Sequence, residues 1–106
     1  MTRRLLPLLV LLVVTSAGCA DDPPPTPAGL YTRYCAECHG PGLEGASSVA
    51  IGPGSPAADL TDRELATIIV EGDEDTEGEP MPGIALDAEL VARIIEHVRT
   101  VQQGAP

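Results

Sequence analysis

Apolar positions recur with a helical period in three stretches of the chain. Leu90, Val91, Ile94, Ile95, Val98 and Val101 are spaced three and four apart, which marks one buried helical face. Asp87 stands ahead of that stripe as an N-cap, Leu86 is placed to pack on Val91, and Gly104 follows as a stop. Upstream, Thr61-Asp62-Arg63-Glu64 is a capping box, with Leu60 able to staple onto Leu65. Leu65, Ile68 and Ile69 form the face of that helix, and Gly72 ends it. A further helix starts at Thr26 as N-cap with Pro27 at its first position. Its apolar face is Leu30, Tyr31, Tyr34, Cys35 and Cys38, and Gly40-Pro41-Gly42 closes it. Residues 40–59 keep no period and are rich in Gly, Pro, Ser and Ala, so they read as a loop. The pattern predicts an all-α domain of about three helices joined by long irregular segments.

The first residues follow a different logic. Arg3 and Arg4 precede an apolar run from Leu5 to Val14, followed by Thr15, Ser16, Ala17, Gly18 and Cys19. A charged start, a short apolar stretch and small residues make a secretory signal. The run falls short of the roughly 20 apolar residues that span a bilayer. Ser16-Ala17-Gly18-Cys19 resembles the lipobox of bacterial lipoproteins, with Ser16 where that family usually has Leu. The resemblance implies cleavage after Gly18 and acylation of Cys19, anchoring the chain to a membrane on the periplasmic side. Ala20, standing where Asp would favour the inner membrane, points to the outer one. Asp21, Asp22 and the prolines up to Pro27 then read as a stiff tether. The expected organisation is a signal over 1–18, a lipidated Cys and tether over 19–27, a domain over 28–103 and a tail over 104–106.

Composition then raises a packing problem. The 106 residues include 11 Gly, 11 Pro, no Trp, no Phe and two Tyr. Small domains of this kind need a disulfide, a metal or another staple. The net charge is −10, which excludes nucleic-acid binding through phosphates.

The cysteines name the staple. Besides Cys19, the chain has only Cys35 and Cys38, in Cys35-Ala36-Glu37-Cys38-His39. In an exported chain this run reads as covalent attachment of a c-type haem. On a helix the three side chains can share one side, so two thioethers fix the porphyrin edge while His39 bonds the iron. A redox dithiol would need a βαβ setting. A zinc site would have only His97 to complete Cys35, Cys38 and His39. A disulfide would close a very small loop.

The segment Leu30 to Gly40 resembles the first helix and haem-binding turn of class I cytochromes c. Gly52-Pro53 is similar to the family's Gly-Pro loop, Met81-Pro82 to its axial methionine loop, and Leu90 to Val101 to its last helix. The resemblance covers residues 28–103. It implies a small cytochrome c fold around one haem c, with Met81 as the sixth ligand of the iron and the Pro53 carbonyl accepting a hydrogen bond from the outer ring nitrogen of His39. It also implies that the last helix crosses the first through two aromatics. Tyr31 matches one of them, and His97 stands where the other belongs.

Met81 sits in Pro80-Met81-Pro82-Gly83, where proline restricts the backbone on both sides. Six of the nine residues from Glu71 to Glu79 are acidic. They read as a solvated loop, as a docking patch for a basic redox partner, or as a calcium loop lacking the usual ligand spacing. The expected activity is single-electron transfer between redox partners, without chemistry on a substrate. The alternatives are a haem sensor or peroxidase-like protein with an open sixth position, and a dedicated haem subunit of a larger oxidoreductase complex.

Overall fold

The computed structural model describes residues 25–75 and 79–104. The signal over 1–18, Cys19, the tether up to residue 24, residues 76–78 of the acidic run and the last two residues lie outside the described residues. The elements are α1 (Pro27–Tyr34), α2 (Ala36–His39), a 3₁₀ turn (Pro56–Asp59), α3 (Asp62–Glu71) and α4 (Ala88–Gln102). The fold is all-α, as the periodicity predicts.

The caps are those read from the sequence. The Thr26 hydroxyl accepts from the Gly29 amide at 3.0 Å. Thr61 and Glu64 form both bonds of the capping box, each at 3.1 Å. The Asp87 carboxylate accepts from the Leu90 amide at 2.9 Å. Each cap satisfies helix-start amides that would otherwise lack partners.

One predicted helix is two. The backbone leaves helical geometry at Cys35, with φ −124° and ψ −33°, and resumes at Ala36. Among the described residues the break makes four α-helices rather than three. Cys35 is buried and Cys38 exposed, so the two thiols do not share one environment.

The core lies where α1 and α3 pack against α4. Leu30 and Tyr31 from α1, Leu65 and Ile69 from α3, and Val91, Ile94, Ile95 and Val98 from α4 are all buried. Tyr31 and His97 meet at the α1–α4 crossing, ring centroids 5.1 Å apart and tilted by 40°. His97 thus takes the place of the second aromatic.

The long loop contributes a core residue that periodicity could not reveal. Leu43 is completely buried although its φ is +65°. Such a backbone costs a side-chain-bearing residue about 1–3 kcal/mol, and burying leucine returns about 1.5–3 kcal/mol. Its carbonyl accepts from both Ile51 and Gly52, at 3.0 and 3.1 Å, which folds the loop back on itself.

Helix α4 also holds the other end of that loop. Arg99 donates to Asp62 at 2.9 Å, to Gln102 at 2.8 Å, and to the carbonyls of Leu60 and Ala58. Gln102 donates to the Ile51 carbonyl at 2.9 Å. The Asp62 carboxylate is largely exposed, so that ion pair adds under about 1 kcal/mol. The bonds from the half-buried guanidinium to backbone carbonyls dominate, at about 1.5–3 kcal/mol. Arg99→Ala should therefore lower the unfolding free energy of the haem-loaded protein by about 2 kcal/mol in denaturant titration, and Asp62→Ala by less than about 1 kcal/mol. Equal losses would show that the ion pair, not the carbonyl clamp, holds the loop.

Candidate functional site

The site is built from the break after α1, the loop that follows α2 and the segment after α3. α2 ends at His39 and the chain doubles back at once. The Gly45 amide donates to the His39 carbonyl at 2.7 Å, and the Ser48 amide to the Cys38 carbonyl at 2.8 Å. These two bonds carry Val49 alongside the His39 ring. His39 Nδ1 lies 2.8 Å from the Val49 carbonyl oxygen. A carbonyl only accepts, so Nδ1 carries the proton and Nε2 keeps its lone pair for a metal.

This corrects the expectation for Pro53. Its carbonyl is not the acceptor, and Pro53 is exposed in the turn where Ser55 donates to Gly52. The physical reason is the pairing of Ile51 and Gly52 with Leu43, which closes the loop before Pro53 and leaves that turn facing solvent. Val49 carries no sequence signal for the role, because any residue offers the same carbonyl.

His39 and Met81 border one cavity of about 230 Å³. Its walls are largely apolar: Ile51, Ala57 and Leu60 from the long loop, Leu65, Ile68 and Ile69 from α3. Asp73 and Glu79 add carboxylates at the Met81 end. A smaller cavity of about 60 Å³ is bordered by His39 and Met81 too, together with Tyr34, Cys35 and Cys38. All four residues proposed from the sequence to attach or ligate a haem thus meet at adjoining spaces.

The donor set fits a haem better than its competitors. Both cysteines are unpaired thiols. Burial, and then the neighbouring Cys38, pushes the Cys35 thiol up to about 11. It is therefore protonated at neutral pH, unlike the low-pKa thiolates that exchange disulfides. His97 is engaged with Tyr31. Among the described residues, no group of three or more His, Cys, Asp or Glu could hold a bare metal ion.

Met81 is held by more than its prolines. Asp73 and Met81 exchange two backbone hydrogen bonds as an isolated antiparallel bridge, at 2.9 and 2.8 Å. The Ile84 amide donates to the Ile69 carbonyl at 2.8 Å. The bridge joins residues eight apart across an acidic run, and no hydrophobic alternation announces it.

Tyr31 links the site to the helix crossing. Its hydroxyl donates to the Gly40 carbonyl at 2.6 Å, one residue past His39. Burial first, then Cys35 and Glu44, pushes the hydroxyl up to about 12. The fold favours the protonated phenol, so its contribution is whole below the ordinary tyrosine value of about 10. It is lost as pH rises from about 10 towards 12. Tyr31→Phe should cost about 1 kcal/mol at pH 8 and flatten the fall in stability above pH 10, measured by denaturant unfolding. An unchanged alkaline slope would mean that Tyr31 is not the titrating group.

Among the described residues, no helix is long and apolar enough to cross a membrane. No curated protein shows significant similarity to the chain. Residues 22–99 match the family described as "Cytochrome C oxidase, cbb3-type, subunit III". With most of its length matched, the helical fold and the haem-attachment motif included, the chain belongs to this family of monohaem cytochrome c domains and has the covalent haem c and the haem-based electron transfer that define it.

Proposed function

We propose that the protein is a periplasmic, lipid-anchored monohaem carrier that passes single electrons between redox partners. In this reading Cys35 and Cys38 would attach the haem through thioethers, and His39 and Met81 would bind its iron. The acylated Cys19 holds the domain at the outer membrane through the 20–27 tether. The observation that carries it is the shared cavity, with His39 and Met81 on its border and apolar walls around them.

A bound haem supplies a one-electron couple at its iron. His39 is oriented by the Val49 carbonyl, which fixes the ring and raises its basicity. Met81 as partner to His39 favours a raised potential and electron transfer over ligand chemistry. The apolar side chains of α3 and the long loop exclude water. Peroxide chemistry would call for a further His or an Arg over the sixth position. Among the described residues, no arginine borders either cavity: Arg33 lies over the Tyr34 ring, Arg93 pairs with Glu89, Arg99 is tied to the loop, and Arg63 lines a groove between α3 and α4.

Electron exchange would pass near Met81, where Glu71, Asp73, Glu74 and Glu79 surround the Pro80–Gly83 segment. That charge suits a partner with a basic face, and would raise the encounter rate at low salt. The family description concerns an oxidase subunit, which favours a second reading: a subunit dedicated to one oxidoreductase complex. Purification from native membranes separates the two, since a dedicated subunit travels with its companion.

The full chain, exported in a host that attaches haem, should give a low-spin spectrum with the weak far-red band of ferric iron bound to methionine. Met81→Leu should abolish that band, lower the reduction potential and admit carbon monoxide to the ferrous protein. A wild-type spectrum that is high-spin, or that shifts with carbon monoxide, would overturn the carrier reading. Lipidation is checked by the mass of the membrane-extracted protein, with Cys19→Ser expected to release the domain in soluble form.

A further inference from the structure

The end of α3 and the Met81 segment approach each other backbone to backbone, closer than side chains allow. A Cβ on Gly72 would stand 2.5 Å from the Met81 carbonyl oxygen and 2.8 Å from the Gly83 nitrogen. A Cβ on Gly83 would stand 2.5 Å from the Val70 carbonyl oxygen and 2.9 Å from the Glu71 carbonyl carbon. The crowding atoms are backbone on both sides and cannot swing away. Gly72 also has φ +83°, whereas Gly83 lies outside the left-handed region. The Asp73–Met81 bridge and the Ile84–Ile69 bond lie at the edges of the same apposition.

From this geometry we propose that Gly72 and Gly83 are positioning residues for the sixth ligand. The contact they permit ties the Met81 backbone to α3, the helix whose Leu65, Ile68 and Ile69 wall the cavity. The sulfur position then follows from α3 rather than from the iron or the flanking prolines. The inference rests on Met81 being the ligand, and the test separates the two ideas.

Three alanine variants of the haem-loaded full chain divide the causes. Gly83→Ala adds the clash alone. Gly72→Ala adds the clash and the left-handed strain. Gly54→Ala adds strain alone, since Gly54 has φ +75° with nothing within 4 Å of its added Cβ. The readouts are the far-red band and the affinity for added imidazole. Gly83→Ala and Gly72→Ala should retain covalent haem, weaken the band and bind imidazole about tenfold tighter or more, since overpacking a site commonly shifts an equilibrium that far. Gly54→Ala should behave as wild type in both. If Met81→Leu removes the band while Gly83→Ala leaves band and imidazole affinity unchanged, the positioning role is overturned and the ligand stands. If Met81→Leu itself changes nothing, both fall.

Should the glycine variants fail to fold, the wild type still decides. Imidazole displaces the sulfur, and amide exchange at Asp73, Met81 and Ile84 is then measured. Protection retained within about threefold means that the apposition to α3 holds the segment without the iron bond. Protection lost more than about tenfold means that the iron holds it, which overturns the proposal.

Discussion

The hydrogen bond from the Tyr31 hydroxyl to the Gly40 carbonyl joins the two halves of this molecule. On one side Tyr31 is the anchor of the α1–α4 crossing, buried against His97. On the other, Gly40 follows His39 directly and starts the turn that brings Val49 to the histidine ring. Helix packing and the orientation of the His39 ring are therefore one construction. A chain with no Phe and no Trp has few ways to transmit such order, and it uses one of its two tyrosines for the purpose.

The same scarcity explains the rest of the design. Without large aromatic side chains, the domain walls its cavity with aliphatic ones and braces those walls through backbone contacts held at short range. Leu43 accepts a costly backbone conformation so that its side chain can fill the loop interior and its carbonyl can collect two amides. Arg99 and Gln102 reach from α4 to carbonyls of the opposite wall. Gly72 and Gly83 let α3 and the methionine segment touch. Each device braces the fold through its backbone.

The charge distribution complements this arrangement. Carboxylates gather around the Met81 edge, and several border the cavities there. Arg99 is committed to the long loop, and Arg93 to Glu89 and the Pro25 carbonyl. The result is an acidic face next to the apolar-walled cavity, a charge pattern that on the proposed reading suits encounter with a cationic protein surface.

Much of this was legible in the residues themselves. Caps are local: Thr26, Thr61 with Glu64, and Asp87 bond amides within three positions, so the helix starts could be read directly. The α4 stripe was legible for the same reason, because periodicity is a property of neighbours along the chain. The Cys35-Ala36-Glu37-Cys38-His39 run carries its chemistry in its spacing. What the tertiary structure decided depends on contacts between distant backbone atoms, which side-chain identity does not encode. The partner of His39 is a carbonyl, and the loop pairing chose that of Val49 over that of Pro53. The break at Cys35, the burial of Leu43 and the two-bond bridge from Asp73 to Met81 arise likewise from how the chain folds back on itself. The sequence by itself determined the helices and the haem-attachment motif, and only the folded backbone decided which atoms hold His39 and Met81 in place.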